Sequence, residues 1–223
     1  MSAKAALVEG NYRYWLSRAW GDAVTLSGKE LPRPYVLWVM LNPSTADASK
    51  DDPTIRKCIG FTTRMGFERL VVVNLFAWRA TEPRELTQHV DIIGPRNNEF
   101  IKSYAADAAV IVCAWGAFDG VDVKTRAWQL QHHLLPQWRL CRVCKGTMSV
   151  PVETNDGTYG GKSCAACIEH QGSEPACSAL AFTKEGQPRH PLRMPYYAAA
   201  ELQPWPRESL SFSLKAMSER GAS

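Results

Sequence analysis

Four of the seven cysteines in this 223-residue chain fall as two C-x2-C pairs, Cys141/Cys144 and Cys164/Cys167, with 19 residues between the pairs. A tight turn brings each pair of thiolates together, and four sulfurs close a tetrahedron around one zinc ion. Such a site is structural, because a filled coordination sphere leaves no position for a reacting water. The spacing predicts a zinc ribbon over 139–170, with DGTYGG (Asp156–Gly161) supplying its turns. His170 or Cys177 is the substitute fourth ligand, and a redox or incidental cluster is the alternative reading. Cys58 and Cys113 lie in apolar runs and read as small buried hydrophobes.

A second group of chemically capable residues stands at the ends of apolar runs. VLWVMLNPSTAD (Val36–Asp47), LVVVNLFAWRAT (Leu70–Thr81) and AAVIVCAWG (Ala108–Gly116) each close on a polar residue or an indole. Unbroken Val/Ile/Leu runs read as buried parallel strands, and open α/β sheets bind ligands beyond the carboxyl ends of such strands. Asn42, Asn74 and Trp115 are therefore expected around one cleft. Asp47, Asp51 and Asp52 place three carboxylates beside it, to bind a divalent metal, to act as a base, or to form a solvated loop. Plainer roles compete: Asn42 before Pro43 can start a turn, Asn74 can satisfy loop backbone, and Asp52 can cap a helix.

The elements that must hold these residues can be read in outline. Asn11–Trp20 mixes polar and apolar positions and predicts an antiparallel edge strand beside the one ending at Asn42. Asp52 and Pro53 supply an N-cap and an N1 proline, so a helix is expected from Pro53 to about Met65, stopped by Gly66, with Ile55, Cys58, Ile59 and Thr62 facing inward. Further helices are expected over 95–106 and 122–135, the latter with Ala127, Leu130 and Leu134 as its core stripe. A last strand, Ser178–Thr183, leads into KEGQPRHPL, and a short helix is expected near 207–217. His132, His133, Trp15 and Trp20 read as surface or packing residues.

The length suits one α/β domain with a small insert. No run of about 18 apolar residues and no N-terminal apolar segment appears, which predicts a cytoplasmic protein without membrane spans. The net charge of +4 permits a polyanionic partner without requiring one.

The strings MLNPSTAD, DDPTIRKCIGF, NLFAWRAT, AWG and RHPL resemble the signature of an uncharacterised bacterial and phage family, domain of unknown function 1643. In the same order they are similar to landmarks of the uracil-DNA glycosylase superfamily. Asn42-Pro43 matches an Asn-Pro at a strand end, though Met40 and Ser44 stand where that motif has glycines. Val71–Arg79 matches a strand closing on Asn before an arginine-bearing loop, Trp115-Gly116 a Trp-Gly strand end, and His190-Pro191 a His-Pro loop, followed here by Leu192 instead of Ser.

That resemblance implies a three-layer α/β/α domain with a mostly parallel central sheet, formed by 1–138 and 171–223 around the inserted ribbon. It implies that Asn42 orients a water, His190 donates to the departing base, and Asn74 reads the base edge. Phe76, Trp78 or Trp115 would stack on the base, and Ser44, Arg79 and Arg189 would contact phosphates. Arg139, Arg142 and Lys145 at the ribbon's entrance could touch a phosphate backbone or simply be solvated. The expected function is release of a modified or damaged base from DNA, with one structural zinc and no organic cofactor. Two alternatives stand beside it: a non-catalytic sensor of modified or foreign DNA, and an enzyme acting on a free nucleotide or nucleoside.

Overall fold

The structure is a computed structural model and describes residues 3–21, 25–26, 29–30, 33–44, 46–47, 50–130, 149–153, 159–163, 177–196, 198 and 202–205. In chain order the described strands are β1 (Ala3–Glu9), β2 (Tyr12–Ala19), β3 (Thr25–Leu26), β4 (Lys29–Glu30), β5 (Val36–Met40), β6 (Arg69–Asn74), β7 (Val110–Cys113), β8 (Ser149–Glu153), β9 (Tyr159–Ser163), β10 (Cys177–Ala179) and β11 (Gln203–Trp205). The helices are α1 (Pro53–Arg64), α2 (Asn97–Asp107) and α3 (Val123–Gln129).

Seven strands form one mixed sheet in the order β1-β2-β6-β5-β7-β10-β11. Its centre, β6-β5-β7-β10, is parallel, while β1-β2, β2-β6 and β10-β11 pair antiparallel. The expected α/β class holds, but the sheet is mixed where a mostly parallel one was expected. The amphipathic strand is also seated differently: β2 pairs with β6, Leu16 opposite Val72, and β1 forms the edge outside it. Both sides of β5 are already occupied, by β6 and β7. A bulge explains why β2 misleads a period-2 reading. Leu7 faces Trp15 while Val8 faces Arg13, so Tyr14 is the extra residue. Tyr14 and the adjacent Trp15 then both reach α2, with ring centroids 5.2 Å from Phe100 and 5.7 Å from Tyr104.

Each face of the sheet is covered. Leu70, Val72, Val36, Trp38 and Met40 pack under Ile55, Cys58 and Phe61 of α1. Val71, Val73, Leu37, Val39 and Ile111 pack against Ile101 and Ala105 of α2 and Val123 and Ala127 of α3. The odd and even positions of each strand serve opposite faces, which is why every residue of β5 is buried.

α1 follows its sequence signals closely. The Asp52 carboxylate accepts the Ile55 N–H at 2.8 Å, Pro53 opens the first turn, and Gly66 takes φ 81° just beyond the last. Ile55, Cys58 and Thr62 are buried as expected, but Phe61 is buried with them and Ile59 is only partly covered. Thr62, fully buried, is satisfied by the Trp38 indole N–H, which donates to its hydroxyl at 3.0 Å. That bond ties the helix to β5; net, a neutral hydrogen bond contributes about 1 kcal/mol.

The second helix starts two residues later than expected, at Asn97, because Pro95 and Arg96 lie in the turn before it. The third helix is described over Val123–Gln129; Leu134, His132 and His133 lie outside the described residues, as does the 207–217 segment. The last parallel strand is shorter than expected, ending at Ala179. The chain then doubles back, with Thr183 N–H donating to Gln187 O at 2.8 Å and Arg189 N–H to Ala181 O at 2.8 Å. Cys141, Cys144, Cys164 and Cys167 lie outside the described residues; between the two pairs, β8 and β9 form an antiparallel hairpin with Ser149 opposite Ser163. Cys58 and Cys113 are buried, as expected. Among the described residues no helix is long and apolar enough to cross a membrane.

Candidate functional site

Register places the strand-end residues at one end of the sheet. Met40 is opposite Asn74 and Val39 opposite Cys113. The pairing runs on past the strands: Leu75 N–H donates to Met40 O at 2.8 Å, Phe76 N–H to Leu41 O at 3.0 Å, and Ala114 N–H to Val39 O at 2.8 Å. With neighbouring strands about 4.8 Å apart, the ends of β6, β5 and β7 span roughly 10 Å. The chain leaves β5 for α1 on one face and leaves β6 for α2 on the other. The order therefore reverses beside β5, the position at which open α/β sheets hold ligands.

His190 joins this end through β7. Gly116 N–H donates to Pro188 O at 2.8 Å, and a Cβ on Gly116 would meet the His190 Cβ at 3.4 Å. Gly116 has φ 77°, a conformation that an L side chain strains to adopt. Asn42, Asn74 and the His190 loop thus stand around the carboxyl ends of three adjacent strands.

Asn42 is held by its nitrogen. Nδ2 donates to Ala80 O at 2.8 Å and to Pro43 O at 3.0 Å, while Ala80 N–H donates back to Pro43 O. Both neighbours are carbonyls and can only accept, so the amide can sit only one way round. Its Oδ1 is left without a protein partner among the described residues. The side chain clamps the loop and still presents an acceptor.

His190 is the electrical opposite. Half-buried, it caps the single 3-10 turn Pro191–Arg193, where Nδ1 accepts the Leu192 N–H at 3.3 Å. That bond puts the ring proton on Nε2, making it a donor. Burial pushes the imidazole pKa below its ordinary value, opposed by the attraction of Asp52. The ring is therefore neutral at neutral pH.

Asn74 alternates with Leu70 and Val72, so its side chain lies on the α1 face of the sheet. It is 1% exposed, and neither Oδ1 nor Nδ2 has a partner. Each unsatisfied buried group costs about 1–3 kcal/mol. Its backbone, by contrast, is well held: Asn97 Nδ2 donates to Asn74 O at 3.0 Å and to Leu75 O at 3.1 Å, and Arg126 Nε to Leu75 O at 2.9 Å.

The remaining expected site residues are distributed as follows. Phe76 and Trp115 are buried in the core under α2 and α3, and the Trp115 indole N–H donates to Gln187 Oε1 at 2.9 Å. Trp78 is half-buried, with ring centroids 4.0 Å from His89 and 5.3 Å from Tyr12. Ser44 is half-buried, and Arg79 and Arg189 are exposed with no ion pair among the described residues. Asp47 Oδ1 accepts the Lys50 N–H at 2.8 Å in a turn, and Asp52 serves as the cap. Asp51 pairs with Arg18 at 2.6 Å and Lys4 at 3.1 Å. No group of three His, Cys, Asp or Glu suited to a metal occurs among the described residues.

Arg13 is a residue the sequence did not single out. Buried on β2, it donates from Nη1 to Ala46 O, while its backbone N–H donates to Ala77 O at 2.9 Å. The signal was a cation alternating irregularly with Leu16 and Arg18 on a strand, which reads as a solvated face until the bulge is known.

A profile of the family described as "Protein of unknown function (DUF1643)" matches residues 13–151, more than half of the chain. Neither the curated proteins nor the solved structures hold a match.

Proposed function

We propose that this chain, which belongs to the DUF1643 family of proteins of unknown function, recognises a nucleobase in DNA and releases it by hydrolysis. The finer fold reading belongs to the same proposal: a three-layer α/β/α domain of the uracil-DNA glycosylase kind, carrying an inserted zinc ribbon. The observation that carries it is the opposed polarity of two fixed groups, an acceptor at Asn42 Oδ1 without a partner among the described residues and a donor at His190 Nε2.

Hydrolysis breaks the bond between sugar C1′ and the base nitrogen, and the electron pair leaves on the base. Water oxygen bonds to C1′, and the proton it sheds ends on the departing base or in solvent. Asn42 suits the water: its carbonyl orients an O–H without needing to take the proton. His190 suits the base, because a neutral Nε2–H stabilises an oxyanion as charge develops. Asn74 offers donors and an acceptor to one base edge. Arg79 and Arg189, exposed and without an ion pair among the described residues, suit backbone phosphates. The four cysteines of the ribbon, if they fill a tetrahedral zinc site, take no part in the chemistry.

An abasic-site assay across DNAs carrying uracil, hypoxanthine, hydroxymethyluracil and other modified bases tests the reading. Cleavage of at least one is expected, with Asn42→Ala and His190→Ala each reducing it about a hundredfold or more. Absence of product from every substrate would sink hydrolysis. A second reading, a sensor that binds without cleaving, is favoured by the fact that the nearby carboxylates are engaged, Asp52 as cap and Asp51 in ion pairs. Retained binding of modified DNA without product would select it.

A further inference from the structure

Three arginines are buried among the described residues, and two of them use all three of their side-chain nitrogens. Arg18 donates from Nε to Asp51 and from both terminal nitrogens to backbone carbonyls of Ala5, Ser17, Asp47 and Lys50. Arg126 donates from Nε to Leu75 O, from Nη1 to Gln129 and from Nη2 to Asn98. Arg13 differs. Among the described residues only Nη1 has a protein partner, Ala46 O, and Nε is buried without one.

The vacant pair is not arbitrary. Nε–H and Nη2–H lie side by side on one edge of the guanidinium, the fork that receives two oxygens of a carboxylate or phosphate. No carboxylate among the described residues forms an ion pair with it: Asp52 and, more weakly, Asp47 attract Arg13 from beyond ion-pair distance, and Arg79 and Arg18 repel it. Burial pushes the Arg13 pKa down to about 10, which leaves it charged at neutral pH. A buried cation with an open fork is costly unless something anionic completes it.

Arg13 also lies on the same face of the sheet as the Asn74 side chain. Its Nη1 bond to Ala46 puts the guanidinium in the cluster beneath α1, and Asn74 faces that same cluster. Both carry polar atoms that are buried and unpartnered.

We propose that the Nε–Nη2 edge of Arg13 receives an oxyanion borne by the ligand whose base edge pairs with Asn74. The oxyanion is a carboxylate on a modified pyrimidine or the 5′-phosphate of a nucleotide. The inference rests on the nucleobase reading of Asn74 for its position, though not for its anion chemistry.

Titration calorimetry with four probes separates the two: deoxyuridine, 5-carboxydeoxyuridine, deoxyuridine 5′-monophosphate and inorganic phosphate. One or the other anionic nucleoside should bind about tenfold or more tighter than deoxyuridine, the scale of a charge-assisted hydrogen bond, and which one gains identifies the source of the oxyanion. Arg13→Lys keeps the charge and the reach to Ala46 O but lacks the fork, so it should fold and lose that gain; Asn74→Ala should weaken all three nucleosides. Equal affinity for deoxyuridine and both anionic forms would overturn the Arg13 inference and leave the base reading standing. Arg13-dependent binding of phosphate with no preference for a nucleoside would do the reverse. Silence from every probe would end both.

Discussion

Gly116 is the surface on which His190 rests: its backbone N–H holds the loop at Pro188, and the two Cβ positions would be 3.4 Å apart. Gly116→Ala is therefore strained by φ 77° before it is crowded. About 1–2 kcal/mol of stability should be lost, and a thermal melt should fall by several degrees. If the histidine works from this seat, catalysis should drop further than stability. A melt unchanged from wild type would refute the strain.

The orientation of the Asn42 amide makes a separate prediction. Asn42→Asp substitutes an acceptor for the donor that faces Ala80 O and Pro43 O. The loop should lose about 1–3 kcal/mol, read as a lower denaturation midpoint at neutral pH. Recovery at acid pH, where the carboxyl regains a proton to donate, would mark the cause.

His190 supplies a pH dependence whose sign is fixed. Burial lowers its pKa in the folded chain below the unfolded value of about 6.5. The unfolded chain then binds the proton first, so this contribution is full above about pH 6.5 and is lost as pH falls from there through the folded pKa. The difference in melting temperature between wild type and His190→Gln should shrink across that window. A constant difference would show that the imidazole does not titrate there.

The ion pair of Arg18 with Asp51 offers a stability test away from the site. Arg18 is almost wholly buried, so Asp51→Ala strands a cation and should cost about 3–5 kcal/mol. Burial alone would raise the Asp51 pKa, but the bonds and charges of Arg18 and Lys4 prevail and hold it below its ordinary value. Its contribution is therefore present above about pH 4 and is lost as pH falls through the lowered folded value. Urea midpoints at pH 7 and pH 3 for wild type and Asp51→Ala should differ widely at the first and by less at the second.

Metal analysis tests the two cysteine pairs. About one zinc per chain is expected, and chelation should lower the melting temperature. Metal-free protein of undiminished stability would dismiss the ribbon.

What the sequence made legible was whatever depended on near neighbours. Asp52, Pro53 and Gly66 bound α1 because capping chemistry acts within a turn. The unbroken run Val36–Met40 marked a strand covered on both faces, and Asn42 and Asn74 were correctly expected at one end of the sheet. What escaped needed knowledge of distant partners. The seat of β2 against β6 depends on which strand edges are already taken, and the bulge at Tyr14 inverts the inside and outside of everything before it. Arg13 was not singled out for that reason. Phe61 displaced Ile59 from the core because Tyr196, far along the chain, packs its ring 5.0 Å away.

The bond from Gly116 to Pro188 joins residues 72 positions apart, and the imidazole arrives only with it. A nascent chain that has emerged as far as α3 already owns both amides and the two central strand pairings between them. It lacks the imidazole that the proposed reading sets against a departing base. If that reading holds, a copy not yet translated past residue 190 should bind no better than the His190 variants and release nothing.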